Sequence, residues 1–207
     1  MKKLLTLIMI FVLSSFAVQA QTIKDAKNEI YYQRYETAKT VLQSVIAGDK
    51  TPEAFYLLSE IYLKEKNNEA ARKILQQGLD YVKAEDISMK KAPLVHIGWA
   101  HLMLNEGKTA EARSLMEEVL TAGKYKNADA LLAAGRANID SKSGDIGWAV
   151  ETLGAALKRD RKNPMVYTAL ADAYKKAIDG SNAVIYYDKA LSVDSKFAEA
   201  MYKKGRL

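Results

Sequence analysis

The two histidines, His96 and His101, are the residues most able to bind a metal ion in this sequence, which has no cysteine. Five residues apart on one helix, they would point about 140° away from each other around the axis, so they cannot hold one ion from one face. We interpret His96 as a packed helix residue. The sequence therefore predicts no metal site, and we expect no cofactor.

A second candidate metal site is the segment from Asp140 to Asp145, DSKSGD. Its acidic residues match part of the spacing found in a calcium-binding loop. A calcium loop needs oxygen ligands at alternate positions and a glutamate at its end, but Lys142 occupies one of those positions. The segment instead predicts a turn followed by a helix start, with Asp145 near the positive end of that helix.

Motifs of enzyme active sites are not found elsewhere. The chain has no glycine-rich phosphate loop, no G-x-S-x-G sequence and no H-E-x-x-H sequence. Neighbouring carboxylates such as Glu117 and Glu118 would point in different directions on a helix. We therefore expect a protein that is not an enzyme and has no small-molecule substrate.

The overall composition predicts helices throughout. The 207 residues include only three prolines, and alanine, leucine, lysine and glutamate are frequent. No segment shows the alternation of apolar and polar residues that is typical of a strand. Lysine and arginine are spread among acidic residues rather than grouped, so we expect no nucleic acid as a partner.

Residues 1–20 have the pattern of a secretory signal peptide. Lys2 and Lys3 precede an apolar run, and the segment ends in Val-Gln-Ala, a small-residue cleavage site. The alternative is a retained membrane anchor, but the run is shorter than the ~20 residues that span a bilayer. Cleavage after Ala20 would lower the formal net charge from +6 to +4, because the two lysines are the only charged residues removed. Gln21, not a cysteine, follows the cleavage point, so we expect an exported periplasmic or cell-envelope protein that is not a lipoprotein.

The most regular part of the chain runs from Asn163 to Phe197. Two segments with helical spacing of apolar residues are separated by Asp179-Gly180-Ser181. Their shared positions are Tyr167, Leu170, Ala171 and Tyr174, followed by Ala183, Tyr187 and Ala190. This segment resembles a tetratricopeptide (TPR) repeat, a helix–turn–helix unit of about 34 residues.

The resemblance extends over most of residues 21–207. It implies an all-α fold, a right-handed α-solenoid of antiparallel helix pairs with about five repeats and a partial sixth. The period is interrupted at residues 83–92, where we expect a lengthened helix end or a loop. In the first helix of repeat four either Gly135 or Ala137 could take the small-residue position, which would place Asn138 or Asp140 where a core tyrosine is usual. The partial sixth repeat suggests a chain that continues beyond Leu207.

The resemblance also implies a concave surface, lined by the first helix of each repeat, that holds a protein or peptide partner. The positions implied to bind are Tyr56, Glu60, Lys64, His101, Asn105, Asn138, Lys142, Asp172, Lys176, Tyr202 and Arg206. The lysine and asparagine clamp with which some TPR domains bind acidic C-termini is not present, because repeats two and three have Tyr56, Glu60, Ile97 and His101 there.

These observations predict a protein-interaction scaffold of the cell envelope. Two alternatives stay open. The array could be an arm of a secretion or outer-membrane assembly complex and thus associate with a membrane complex, or it could be an accessory domain of an enzyme whose catalytic part lies downstream.

Overall fold

The computed structural model describes residues 22–207, so the predicted signal peptide lies outside the described residues. These residues form eleven helices and no strand. The helices are α1 (Thr22–Tyr31), α2 (Tyr35–Ala47), α3 (Pro52–Lys64), α4 (Asn68–Ala84), α5 (Pro93–Asn105), α6 (Thr109–Ala122), α7 (Ala128–Asp140), α8 (Ile146–Arg159), α9 (Pro164–Lys176), α10 (Gly180–Val193) and α11 (Ala198–Lys204). None of the described helices has the length and apolar character needed to cross a membrane.

The helices pair in chain order as five helix–turn–helix repeats, and α11 begins a sixth. From α3 onward, the first helix of each repeat also packs on the first helix of the next one. This stacking produces the predicted α-solenoid, with its core between neighbouring repeats rather than in one centre.

The helix starts follow from the sequence. Thr51, Asn67, Asn127, Asp145 and Asn163 each precede a helix, and the side chain of each accepts a hydrogen bond from a backbone amide of its first turn. These bonds satisfy amides that have no partner within the helix. The prediction of Asp145 at a helix start is thereby confirmed.

Four of the five turns inside repeats share one conformation. The second residue after the first helix is left-handed, at Gln33 (φ 59°), Lys66 (60°), Gly107 (78°) and Ile178 (61°). At each of these turns, backbone amides donate back to carbonyls three and five residues earlier, which closes the end of the helix.

Repeat four has a different turn, and this turn decides which residue takes the small-residue position of its first helix. Its turn is the five-residue segment 141–145, so Gly135 rather than Ala137 is the small residue that faces the second helix. A Cβ atom on Gly135 would lie 2.5 Å from Cγ of Leu153. Asn138 then takes the core position that is usually tyrosine.

The irregular segment after repeat two contains both predicted features. Helix α4 has 17 residues, against 13 in α3, and residues 85–92 then form a loop. The side chains of Ile87 and Met89 are partly buried against the core, so this loop lies on the body of the array.

The first and last described helices, α1 and α11, lie against each other. The ring centroids of Tyr31 in α1 and Phe197 before α11 are 5.9 Å apart, and the Tyr31 hydroxyl accepts a hydrogen bond from the Ala198 amide. The curvature of the solenoid thus brings its first and last described helices together.

Candidate functional site

The fifth, ninth and thirteenth positions counted from the start of each first helix form three rows, which we call the inner rows. In repeat six the ninth position is Arg206, which lies two residues after the end of α11. These positions are four residues apart, so they lie one above another on one face of each helix. From repeat two onward the rows are Tyr56, Ile97, Leu132, Thr168 and Tyr202; Glu60, His101, Arg136, Asp172 and Arg206; and Lys64, Asn105, Asp140 and Lys176.

One contact demonstrates that this face is concave. Arg136 in repeat four lies 3.5 Å from Glu199 in repeat six, although repeat five stands between them in the chain. Side chains two repeats apart can meet only on the inner side of the curve. Polar groups from successive first helices therefore converge on one surface.

Two predicted residues of repeat four, Asn138 and Lys142, do not lie on the concave surface. The resemblance placed them there, but the longer turn of this repeat shifts the positions of its first helix by two residues. Asn138 is buried, and Lys142 is exposed in the turn after α7. The residues that take their places are Arg136 and Asp140, which the sequence analysis missed. Counting from the helix cap at Asn127 would have found them.

Asn138 has a structural role instead. Its side-chain amide donates to the Ala134 carbonyl at 3.0 Å, and its side-chain oxygen accepts from the Asp145 amide at 2.9 Å. A buried polar side chain is stable only when it is paired in this way. Asn138 therefore ties the unusual turn to the helix before it.

His101 also differs from an exposed contact residue. It is only 5% exposed, and its Nδ1 lies 3.0 Å from the Glu60 carboxylate of the preceding repeat. Burial lowers the pKa of His101, but the Glu60 charge and hydrogen bond outweigh burial, so the pKa is raised above its ordinary value. His101 thus orients Glu60 rather than facing a partner directly.

A charged network connects the last three repeats. Lys203 of α11 lies 2.5 Å from Asp172 and 2.7 Å from Glu199, which also pairs with Arg136. Burial raises the pKa of Glu199, but Arg136 and Lys203 outweigh it, so the pKa is lowered. The buried Tyr187 donates its hydroxyl to Asp172 at 2.5 Å. These contacts hold α11 against the inner surface.

The remaining predicted residues form separate contacts, some within one repeat and some between neighbouring repeats. Lys176 donates to the carbonyls of Ile139 and Ser141, while the Asn105 side chain accepts from the Ser141 hydroxyl at 2.8 Å. At the exposed edges, Lys64 bonds the hydroxyl of Tyr35, and Arg206 bonds that of Tyr202. The structure therefore does not bring all the predicted residues into one cluster.

Asp140, which is exposed, and Tyr56, which is half-buried, are two further polar residues of the inner rows. Within residues 22–207 the Asp140 carboxylate forms no ion pair or hydrogen bond, and neither does the Tyr56 hydroxyl. Burial raises the pKa of both groups; at Tyr56 the nearby Glu60 charge adds to this rise, whereas at Asp140 the charges of His101 and Arg136 oppose it. Among the described residues, no group of three or more His, Asp or Glu is placed to hold a metal ion.

Comparison with known proteins agrees with this architecture. A tetratricopeptide repeat model matches residues 52–81, which span α3 and most of α4. No curated protein is similar in sequence.

Solved structures extend the likeness along the chain. TTC0263, a thermophilic TPR protein of Thermus thermophilus, is 19% identical with a TM-score of 0.64 over 91% of this chain and 97% of its own. PilW, described as a type IV pilus biogenesis factor, is 20% identical with a TM-score of 0.52 over 89% and 86%. YrrB, described as a TPR protein with an unusual peptide-binding site, is 12% identical with a TM-score of 0.50 over 88% and 90%. At these identities the likeness establishes the shared fold.

Proposed function

Since the chain contains a tetratricopeptide repeat and has the fold of TPR proteins over its described length, we propose that it is a non-enzymatic scaffold that binds a protein or peptide on its concave surface. The observation that carries this proposal is the convergence of side chains from successive first helices on that surface, with Tyr56 and Asp140 still able to bond. A preformed rigid surface binds a partner at little cost in ordering.

Site-specific crosslinking in the native host tests the proposal. A photoreactive p-benzoylphenylalanine at position 56 is expected to capture a discrete protein, and the same group at Glu118 of α6, an exposed position on a second helix, is not. Equal capture from both positions, or capture from position 118 alone, would contradict binding on the concave surface.

We further propose that the scaffold works in the cell envelope after export. The support is the signal-peptide pattern of residues 1–20 and the small residue at the cleavage point. Mass spectrometry of the protein isolated from an envelope fraction is expected to find Gln21 as the first residue. An intact Met1 in a cytoplasmic fraction would overturn this part of the proposal.

The alternative proposal is an arm of a larger envelope assembly. It is favoured by the exposed apolar side chains of Met201 and Tyr202 on α11. Copurification of a multi-subunit complex that is lost in Met201→Glu would favour this alternative, whereas a complex unaffected by that change would count against it.

A further inference from the structure

Helix α11 places an acid and a base on the concave surface. Glu199 and Lys203 are one helical turn apart, and their charged groups lie 2.7 Å from each other. Glu199 also pairs with Arg136 of repeat four at 3.5 Å, and Lys203 pairs with Asp172 of repeat five at 2.5 Å. Arg136 and Asp172 belong to the second of the inner rows. Helix α11 therefore occupies charged groups that a partner on this surface would meet.

The two groups that α11 contacts are positioned by other helices. The Asp172 carboxylate accepts a hydrogen bond of 2.5 Å from the hydroxyl of Tyr187, a fully buried residue of α10. Arg136 stands inside α7 between the buried residues Gly135 and Ala137. The concave surface thus presents a cation and an anion from neighbouring repeats, which is complementary to an acid and a base on one helix.

Helix α11 is less firmly held than the other first helices of the array. It has seven residues, against 13 in α9. Its buried residue is Ala200, with Phe197 just before it, whereas α9 buries six residues. Its other contacts include the ion pair of Lys204 with Asp188 at 2.5 Å. An isolated helix of this length is not stable in water, and an element with so little burial opens readily.

The ion pairs of α11 can be exchanged for others. The side chains of Arg136, Asp172, Glu199 and Lys203 are between 22% and 33% exposed. Ion pairs that water reaches contribute little net stability, and salt screens them. A second acid and base with the same spacing can therefore replace Glu199 and Lys203 without leaving a charge of the concave surface unpaired.

We propose that α11 is an internal competitor for the concave surface, displaced by a partner helix that has a carboxylate and a basic side chain one turn apart and pairs them with Arg136 and Asp172. This inference rests on the proposed function, since it specifies the chemistry of the partner and how its site is opened. Because α11 is tethered by a short segment, it competes at an effective concentration of about a millimolar. A partner must exceed that competition to bind.

The test uses the full chain and, as a probe, a fluorescein-labelled synthetic peptide with the sequence of residues 197–207. Fluorescence anisotropy is expected to show about tenfold tighter binding of this peptide to the double variant Glu199→Gln, Lys203→Gln than to the unchanged chain. The reason is that the internal helix loses its ion pairs while Arg136 and Asp172 remain. A peptide with glutamine in place of its glutamate and of the lysine one turn later should show no such gain.

The matched control removes a different pair with the same spacing. Arg113 and Glu117 form an ion pair one turn apart on the second helix α6. The double variant Arg113→Gln, Glu117→Gln should leave the peptide affinity unchanged. A gain equal to that of the α11 variant would overturn the proposal.

Hydrogen exchange of the unchanged chain tests the competitor without a substitution. Raising NaCl from about 0.05 M to about 0.5 M should speed exchange at the amides of α11 several-fold, because salt screens the ion pairs that hold this helix. Exchange at the amides of α9 should stay the same. Exchange of α11 that does not respond to salt would contradict the proposal.

The remaining outcomes separate this inference from the proposed function. Adding Arg136→Gln to the α11 double variant should abolish the gain in peptide affinity, and an undiminished gain would refute the assigned contact. If crosslinking from position 56 captures its protein equally with and without the α11 substitutions, the scaffold stands and the competition falls. Failure of that crosslinking beside a clear gain in peptide affinity would contradict the proposed function and still support displacement of α11.

Discussion

The hydroxyl of Tyr31 accepts a hydrogen bond of 3.1 Å from the backbone amide of Ala198, across 167 residues of the chain. That amide belongs to the first turn of α11, where the helix itself offers no acceptor. The phenol of α1 therefore acts as a cap for α11, and Tyr31 and Phe197 add a contact between rings.

We expect Tyr31→Phe to expose the Ala198 amide without removing the ring contact. The loss of a partly exposed hydrogen bond should cost less than about 1 kcal/mol of unfolding free energy. Hydrogen exchange at Ala198 should become faster, and Tyr31→Ala should extend the effect along α11. Tyr125→Phe is a matched control, because Tyr125 is equally exposed at 39% and its hydroxyl caps no helix. Unchanged exchange at Ala198 would contradict the cap.

Two glycine substitutions test the register of repeat four. In Gly135→Ala the new methyl would overlap the Leu153 side chain, and we expect a destabilisation of about 1–3 kcal/mol. Gly154→Ala lies on the neighbouring helix α8 with no atom within 4 Å of the new methyl. Gly154→Ala should instead raise the free energy of unfolding by about 0.5–1 kcal/mol, because alanine is more favourable than glycine in a helix interior. Urea unfolding measures both, and equal effects would disprove the register.

Replacing Ile178 by glycine should stabilise the protein. It is 94% exposed and has a left-handed backbone, which costs a β-branched residue about 1–2 kcal/mol. We expect Ile178→Gly to raise the unfolding free energy by about 1 kcal/mol and to lower surface hydrophobicity. Gly107→Ala at the equivalent turn of repeat three should have the opposite sign in the same thermal unfolding experiment. A destabilised Ile178→Gly would mean that the side chain makes a stabilising contact.

The pair of His101 and Glu60 should make stability depend on pH. Because the folded pKa of His101 is raised, its contribution is complete below the ordinary value of about 6.5 and is lost as pH rises through the folded pKa. We expect Glu60→Gln to lower the His101 pKa in an NMR titration and to destabilise the protein more at about pH 6 than at about pH 9. Glu118→Gln should leave that pKa unchanged, and a His101 pKa that is the same in Glu60→Gln would refute the pairing.

The repeat pattern was sufficient to predict the fold. Apolar positions such as Leu58, Leu75 and Leu170 face neighbouring helices in every repeat, so they carry the helical spacing visible in the sequence. The positions of the first helix of repeat four could not be assigned from the sequence. Its turn has two more residues than that of repeat five, and a pattern with a fixed period does not reveal such an insertion.

The inner surface was less predictable. Whether Arg136 binds Glu199 or Asp140 depends on the curvature of the array, which is the sum of small rotations between repeats. Arg136 and Glu199 are 63 positions apart in the sequence, so no local pattern indicates that contact. The residues that occupy the polar positions of the inner rows could be predicted in four repeats. The ion pairs and hydrogen bonds that these residues form could not.

The contact between α1 and α11 also changes how the array is expected to lose its structure. In an open array the terminal repeat has one neighbour, so unfolding starts there and proceeds inward one unit at a time. Here α1 and α11 each have the other as an additional neighbour, so opening either helix must first break the contact between them. Unfolding of the described repeats should therefore be more cooperative than in the same repeats without this contact, with α1 and α11 melting together.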